Sequence, residues 1–302
     1  MKILITGSNG LLGQKLVKLC IEKGVEVIAT SRGESRIDYL EGSFEYASLD
    51  ITDQGSVNSV MNRYRPDVVV NTAAMTNVDQ CETDREACRL LNVQAVQNLV
   101  DCCEAQNTLL VHLSTDFIFD GEAGPYEEDD QPNPISFYGQ SKWDAENIIM
   151  ESNAKWAILR TVLVFGITPG MSRSNIILWV KENLENGKPL NIVNDQWRTP
   201  TLAEDLAMGC FLAADQRAEG IFNISGEELL SPYEMAIHTA DYFGLDKSLI
   251  TEVDASTFSQ TAKRPPKTGF ILDKAKEVLG YQPHSFVEGI KHLDEQFKRY
   301  TP

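Results

Sequence analysis

The sequence lacks the features expected of a metalloprotein, a disulfide-linked secreted domain or a membrane protein. Its four histidines are scattered, and no group of His, Cys, Asp and Glu has metal-ligand spacing, so no metal is expected. Its six cysteines form no CxxC pair or regular framework. Without a recognisable signal peptide, they predict reduced thiols in a cytoplasmic protein. No apolar run approaches the roughly 20 residues of a membrane-spanning helix.

Positive charge is also scarce. The 302 residues include 27 Lys and Arg against 44 Asp and Glu, which gives a formal net charge of −17. Such a surface repels nucleic acid and anionic membranes, so neither is expected as a partner. An anionic ligand would therefore need donors placed locally at its site. The length and a hydrophobic fraction of 42% predict one large or two modest globular domains with a sizeable core.

A glycine-rich turn separates the first predicted strand from the first predicted helix. Lys2 to Thr6 is a short apolar run typical of a buried parallel strand, and Gly7, Gly10 and Gly13 follow it directly. Glycines at such a junction let the backbone approach a pyrophosphate at the positive end of the helix. Because the spacing is GxxGxxG and not GxGxxG, a tight turn with one helix-packing glycine is the alternative.

The second predicted strand ends without the acidic residue that would bind a ribose hydroxyl of NAD. Ser31 and Arg32 stand there, and a hydroxyl and a guanidinium suit the 2′-phosphate of NADP. The alternative is a solvated loop arginine. We therefore expect NADPH as the cofactor, with NADH possible. Asp50 and Ile51, which follow the third strand, could frame an adenine.

Small residues follow the fourth predicted strand, where a cofactor could lie against the backbone. They include Ala73, Ala74 and Thr76. Asn92 is also a candidate for the cofactor side, although an amide within a helix more often makes buried structural hydrogen bonds. Thr83 and Glu86 fit a capping box that would open one long helix to about residue 106.

Two further segments predict a catalytic centre. Thr115 and Asp116 follow the fifth predicted strand, and side chains at the carboxyl end of a parallel strand face the crevice where such sheets bind ligands. Tyr138 and Lys142 are four residues apart and would share one helix face. A cation beside a phenol favours the phenolate, so Lys142 would tune Tyr138 as a general acid/base. Taken alone, such a pair is far more often an ordinary surface contact, because shifted pKa values also arise in purely structural settings.

Strand and helix patterns alternate from residue 2 to residue 161. This alternation predicts an α/β fold with a doubly wound, Rossmann-type parallel sheet. We expect an NADP-binding domain at 1–165 and a smaller mixed α/β substrate-binding region at 166–302. Segments near 190–225 would return to the first domain, and 221–225 is apolar enough to join its sheet.

In this order the motifs resemble those of extended short-chain dehydrogenase/reductases, specifically the dTDP-4-dehydrorhamnose reductase family. The matching segments are Thr6-Gly7-x-x-Gly10-x-x-Gly13, Asn71 to Asp79, Ser114 to Gly121, Pro125 to Glu128, Tyr138 to Lys142, Leu159 to Thr161 and Asn194 to Gln196. The resemblance implies NADPH-dependent reduction of the 4-keto group of a nucleotide sugar, most specifically dTDP-4-dehydro-L-rhamnose to dTDP-L-rhamnose. Another nucleotide-sugar epimerase or dehydrogenase, a non-catalytic NADP-binding regulatory subunit, and a homodimer stay open.

The resemblance also implies roles for individual residues. Tyr138 would donate a proton to the ketone oxygen, and Thr115 would hydrogen-bond the same oxygen. Lys142 would lower the pKa of Tyr138 and hold the nicotinamide ribose. The diphosphate and the ribose side of the cofactor would be contacted by Gly10, Leu11, Leu12, Ala74 and Thr76.

The sequence departs from the family pattern in the region expected to bind the sugar. The family's aromatic residue shortly after the Arg-Thr of the sixth strand is missing, which leaves Phe165 as a candidate. The family motif Asp-Gln-x-Gly-x-Pro-Thr carries Trp197 and Arg198 at its third and fourth positions here. Asp116 and Arg264 complete the candidate substrate-binding set. Arg264 lies in a basic segment that is either a phosphate clamp or a solvated loop.

Overall fold

The computed structural model describes residues 1–171 and 175–300. In chain order the strands of this part are β1 (Lys2–Thr6), β2 (Glu26–Ser31), β3 (Glu45–Ser48), β4 (Val68–Asn71), β5 (Leu109–Thr115), β6 (Lys155–Thr161), β7 (Val164–Phe165), β8 (Leu190–Val193), β9 (Thr201–Leu202), β10 (Gly220–Asn223) and β11 (Ile250–Val253). The α-helices are α1 (Leu11–Glu22), α2 (Gln54–Tyr64), α3 (Val78–Thr83), α4 (Arg85–Arg89), α5 (Ala95–Gln106), α6 (Phe137–Glu151), α7 (Ile176–Glu185), α8 (Ala203–Asp215), α9 (Pro232–Phe243) and α10 (Phe286–Tyr300).

Within the described residues, seven strands form one sheet in the order β10-β6-β5-β4-β1-β2-β3, and every neighbouring pair is parallel. Alternate residues of each central strand face opposite layers of helices. In β1, Ile3 and Ile5 join a core with α1 and α8, whereas Leu4 joins a core with α2, α5 and α6. Since both faces are covered, the central strands are apolar along most of their length. The predicted doubly wound parallel sheet is confirmed.

The C-terminal part returns to this sheet and also builds a smaller unit of its own. β10 pairs with β6, which confirms the strand predicted near 221–225. β8 pairs with β11, and β7 pairs with β9, each in parallel. Two further apolar clusters lie among α7, α9, α10 and these short strands. The proposed division at residue 165 stays a prediction. Of the described helices, none is both long and apolar enough to cross a membrane.

The predicted capping box at Thr83 and Glu86 is wrong. Thr83 ends α3, and its hydroxyl donates to the carbonyl oxygens of Asp79 and Gln80. Asp84 caps α4 instead, because its carboxylate accepts from the Ala87 amide at 3.1 Å. A carboxylate is favoured there by the helix dipole. The single long helix is also interrupted, since a π-helical turn over 90–94 separates α4 from α5.

A buried ion pair links β6 to α6. Arg160 is 1% exposed and Glu146 is 0% exposed. The Nε and Nη2 atoms of Arg160 donate to both carboxylate oxygens of Glu146 over 2.7–3.2 Å. Its Nη1 donates to the carbonyl oxygen of Glu128 at 2.8 Å, so the same guanidinium also holds the loop before α6.

We expect Glu146→Ala to lower the free energy of unfolding by about 3–5 kcal/mol, because it leaves the Arg160 cation buried without its anion. Urea unfolding followed by circular dichroism measures the change. The control is Glu185→Ala, which removes a solvent-exposed partner of Lys181 and should cost less than about 1 kcal/mol. Equal losses in the two variants would contradict the importance given to the buried pair.

Candidate active site

The glycine turn brings the N-terminus of α1 to the carboxyl edge of the sheet. Gly7 has a φ of +65°, which favours glycine, and a Cβ on it would lie 2.9 Å from Thr72 Oγ1. A Cβ on Gly13 would lie 2.3 Å from the carbonyl oxygen of Gly7. Gly10 caps α1 without a side chain, so no side-chain oxygen satisfies the first amides of the helix. This geometry fits an anionic phosphate better than a mere packing turn.

Eight of the predicted cofactor-binding residues line one cleft, here called the cofactor cleft. They are Gly7, Gly10, Ser31, Arg32, Asp50, Ile51, Ala73 and Ala74. The sequence reasoning missed four further lining residues, which are Thr6, Leu49, Thr72 and Leu91. All but Leu91 lie at or next to the carboxyl ends of β1, β2, β3 and β4, where a doubly wound sheet binds ligands.

Two side chains of opposite charge, Asp50 and Arg32, line the cofactor cleft. Asp50 accepts from the Thr52 amide at 2.9 Å and from its hydroxyl at 2.7 Å. These hydrogen bonds, with a smaller effect of Arg32, lower the pKa of Asp50 and keep it ionised. Arg32 is exposed at the end of β2, where its guanidinium is available to an anion. The glycine turn, the uncapped N-terminus of α1 and Arg32 together fit a dinucleotide with an additional phosphate.

Six cofactor candidates remain: Tyr138 and Lys142, which belong to the catalytic group described below, and four residues beside this cleft. Leu11 and Leu12 begin α1 directly after Gly10, and Thr76 lies in the loop after β4. Asn92 is 1% exposed. Its Oδ1 accepts from the Met75 amide at 2.8 Å, and its Nδ2 donates to the Met75 carbonyl oxygen at 3.0 Å. Asn92 therefore braces the loop next to the cleft, and direct contact with the cofactor stays a prediction for all four residues.

The close approach of α6 to the end of β5 brings the catalytic candidates together. A Cβ on Gly139 would lie only 2.0 Å from the carbonyl oxygen of Phe117, so only glycine admits this packing. The ring of Tyr138 packs edge-on against Phe117 with centroids 5.8 Å apart. The Thr115 hydroxyl lies close enough to the Tyr138 phenol to influence its pKa. Sequence separation alone could not show that Thr115 and Tyr138 meet.

The expected lowering of the Tyr138 pKa is not found. Burial is the largest influence and raises the pKa of Tyr138, and the nearby Asp116 carboxyl adds to that increase. The Thr115 hydroxyl opposes this effect of burial but is outweighed. The phenol is therefore protonated at neutral pH, which suits a proton donor.

Lys142 lies one helical turn beyond Tyr138 on α6. Its Nζ donates to the Leu113 carbonyl oxygen at 2.6 Å and lies 3.1 Å from Nε2 of His112. Burial lowers the pKa of Lys142 to about 8, although Glu146 and Cys88 favour its charged form. The lysine is therefore a buried group whose charge changes close to neutral pH.

Asp116 and Arg198 connect this centre to the C-terminal part. The carboxylate of Asp116 accepts from Thr115 Oγ1 at 3.0 Å and from the hydroxyl of Thr268. The Nε of Arg198 lies 3.7 Å from Asp116 Oδ2, and its Nη2 donates to the Pro265 carbonyl oxygen at 2.6 Å. Both charged groups are buried, so in this structure they hold the site together. Their contact with a substrate stays a prediction.

The remaining substrate candidates have different surroundings. Phe165 is 3% exposed and packs edge-on against Phe286, so here it is a core residue. The backbone of Trp197 bridges to the 266–268 segment. Arg264 pairs with Asp79 of α3 at 2.7 Å. The contacts of Phe165 and Trp197 with a sugar stay predictions.

Arg264 also lines a second cleft, here called the C-terminal cleft, of about 510 Å³. It is lined by Asn175, Ile176, Trp179, Asn191, Ile192, Val193, Gln196, Pro232, Gln260 and Arg264. Its volume lies within the roughly 300–1,000 Å³ typical of small-molecule sites. The sequence reasoning missed most of these side chains, because they come from four separate segments without a motif.

His112, Ser141 and Thr268 were also missed, although they contact the predicted centre. Ser141 Oγ accepts from Asn92 Nδ2 at 3.1 Å. Ser141 could have been predicted as a site residue, because it lies within the Tyr138–Lys142 motif. Thr268 carried no such signal, because 152 residues separate it from Asp116.

Comparison with known proteins identifies the family. The family model described as the RmlD substrate binding domain matches residues 1–299. The dTDP-4-dehydrorhamnose reductase of Aggregatibacter actinomycetemcomitans is 30% identical over 305 positions, which cover 97% of this chain and 98% of that protein. The methionine adenosyltransferase 2 subunit beta of Xenopus tropicalis is 33% identical over 253 positions, which cover 82% of this chain and 73% of that protein.

Solved structures give the same result. The crystal structure of a dTDP-4-dehydrorhamnose reductase from Clostridium acetobutylicum has a TM-score of 0.87 and 31% identity, with 99% of this chain and 100% of that chain covered. The dTDP-4-dehydrorhamnose reductase of Bacillus anthracis, in complex with NADP, has a TM-score of 0.83 and 25% identity, with 98% and 99% covered. The family predicted from the motifs is confirmed: the chain belongs to the dTDP-4-dehydrorhamnose reductase family of NADP-dependent oxidoreductases.

Proposed function

We propose that this protein is an NADPH-dependent reductase of a keto nucleotide sugar, with dTDP-4-dehydro-L-rhamnose as the substrate and dTDP-L-rhamnose as the product. One observation carries the proposal. Thr115 ends β5 at the carboxyl edge of the sheet beside Tyr138, and Lys142, one turn along the helix of Tyr138, donates to the carbonyl oxygen of Leu113 in the same strand. The reductase from Aggregatibacter actinomycetemcomitans supports the choice of substrate by its name.

In the proposed reaction the bound NADPH would supply a hydride to the ketone carbon. Tyr138 donates its phenolic proton to the ketone oxygen, and burial keeps that proton in place at neutral pH by raising the pKa of Tyr138. Thr115, whose hydroxyl donates to Asp116 in this structure, would turn that proton to the same oxygen when the substrate is bound. Lys142, one helical turn beyond Tyr138 on α6, is held by Leu113 and His112, and its proposed role is to hold the nicotinamide ribose.

The C-terminal cleft is the proposed site for the nucleotide part of the substrate. Trp179 is 41% exposed and offers an aromatic face to a base. Gln196 and Arg264 supply polar groups, and the Arg264 guanidinium suits a diphosphate. Arg264 adjoins Pro265 and so lies next to the segment that Arg198 ties to the catalytic centre.

A regulatory subunit that binds NADP without turnover is the second candidate. The observation that favours it is the 33% identity with a protein named as a subunit of methionine adenosyltransferase. The assembled Thr115, Tyr138 and Lys142 favour the enzyme. An assay of NADPH oxidation with dTDP-4-dehydro-L-rhamnose and a panel of other keto nucleotide sugars separates the two candidates, because a regulatory subunit would bind NADPH and oxidise none of it.

Tyr138→Phe should bind NADPH normally and lower kcat by about two to four orders of magnitude, because only the donated proton is removed. NADPH binding is measured by fluorescence and turnover by the loss of NADPH absorbance. Tyr242→Phe, which changes a tyrosine of α9, is the control and should keep full activity. A Tyr138→Phe rate within threefold of the wild type would exclude Tyr138 as the proton donor.

Arg32→Ala should weaken NADPH binding by about 10- to 100-fold and leave NADH binding within about twofold, because a charge-assisted contact with the 2′-phosphate is lost. Titration of both cofactors gives the two dissociation constants. Arg63→Ala, on the surface of α2, is the control for a general loss of positive charge. Equal weakening of NADPH and NADH would rule out the assigned contact.

Arg264→Ala should raise KM for the nucleotide sugar by about tenfold or more and leave KM for NADPH unchanged. Asp79→Asn is the matched variant, because it breaks the same ion pair but retains the arginine. We expect Asp79→Asn to raise KM much less. The same increase in both variants would mean that Arg264 only fastens its loop to α3.

A further inference from the structure

His112 lies in the middle of β5 with both ring nitrogens engaged. The side chain is 1% exposed, and Lys142 is 2% exposed. Nε2 of His112 lies 3.1 Å from Lys142 Nζ, and Nδ1 lies 3.1 Å from Nδ2 of Asn71. Asn71 Oδ1 accepts from the hydroxyl of Thr6 at 2.6 Å. Because Thr6 lines the cofactor cleft, a continuous row of buried polar groups runs from this cleft to Lys142.

Two patterns of hydrogen bonds satisfy the donors and acceptors in this row. If the Asn71 amide nitrogen donates to Nδ1, the ring proton of a neutral His112 must be on Nε2, facing Lys142. An ammonium group there would place two donors against each other, so Lys142 must then be an uncharged amine that accepts. If Lys142 is charged, it donates to Nε2, the ring proton moves to Nδ1, and the Asn71 amide turns to present its oxygen.

Both arrangements are sterically available. The two ends of an asparagine amide have nearly the same shape, and the Thr6 hydroxyl is able to donate or accept. Lys142 donates to the Leu113 carbonyl oxygen in either state. The protonation state of Lys142 is therefore tied to the tautomer of His112 and to the orientation of Asn71.

We propose that His112 is a positioning residue for the reduction, which holds Lys142 in place one helical turn beyond Tyr138 and changes tautomer when Lys142 gains or loses its proton. The proposed catalytic effect rests on the function given above, whereas the tautomer change follows from the buried contacts alone. His112 does not touch the reacting atoms and acts only through Lys142.

The charged and titratable groups around Lys142 are consistent with such a change. Glu146 lies on the same helix and is neutralised by Arg160 of β6. Cys88 of α4 hydrogen-bonds to Ser141, and its pKa is lowered to about 7, chiefly through a hydrogen bond with Cys81.

The pKa values of the two partners place the change near pH 8. Burial and Lys142 together lower the pKa of His112 well below its usual value, so His112 stays neutral. The pKa of Lys142 is about 8, so this lysine is charged below that pH and uncharged above it.

Nitrogen NMR of the full-length protein labelled with ¹⁵N-histidine tests the tautomer directly. Below about pH 7, Nδ1 of His112 should carry the proton, and above about pH 9, Nε2 should carry it. His112→Gln identifies the signals, because the other three histidines keep theirs. In Lys142→Met the tautomer should stop changing over this range. A tautomer that stays fixed in the wild type, or that still changes in Lys142→Met, would overturn the proposal.

Two variants test the catalytic consequence. His112→Gln keeps an amide long enough to reach Lys142, whereas His112→Asn keeps only a group near Asn71. We expect kcat to fall about 10- to 100-fold in His112→Asn and to stay within about threefold in His112→Gln.

Similar kcat values for the two variants, with equal losses in thermal stability, would show a purely structural role. If the wild type reduces none of the tested sugars, the proposed function fails, and the tautomer measurement still decides the coupling between His112 and Lys142.

Discussion

The packing of α6 on the end of β5 is the constraint on which the site depends. A carbonyl oxygen of Phe117 occupies the place where any side chain at position 139 would begin, so the glycine sets the distance between helix and strand. The same contact places Tyr138 beside Thr115 and Lys142 beside the Leu113 carbonyl oxygen. The positions of Tyr138 and Lys142 are thus set by the packing of the backbone.

Burial at this contact controls the electrostatics of the site. It raises the pKa of Tyr138 and lowers that of Lys142, because a low-dielectric environment disfavours both charged forms. The phenol is then a proton donor at neutral pH. The Glu146–Arg160 ion pair begins one turn beyond Lys142. Tyr138, Lys142 and Glu146 therefore occupy successive turns of α6. Burial acts on the first two, whereas Glu146 is paired with Arg160.

The C-terminal part completes the site by reaching across to the sheet. Arg198 and Thr268 both engage Asp116, and Arg264 engages Asp79. Arg198 stands where the family resemblance led us to expect a glycine, and its guanidinium lies between Asp116 and the Pro265 carbonyl oxygen. Through these contacts Arg198 links the C-terminal part of the chain to the residue that follows β5. It lies next to the residue that orients Thr115.

Local patterns in the sequence determined the alternating strands and helices, the glycine turn, and the Tyr138–Lys142 helix, because these depend on neighbouring residues and on periodicity. They also indicated most of the cofactor cleft, since the carboxyl ends of parallel strands meet at one edge. Only the tertiary structure decided that Thr83 is not a cap, that Phe165 is buried, and that His112 supports Lys142. It also reversed the expected direction of the Tyr138 pKa shift. These outcomes depend on burial and on contacts between distant segments, and no local pattern of residues encodes either.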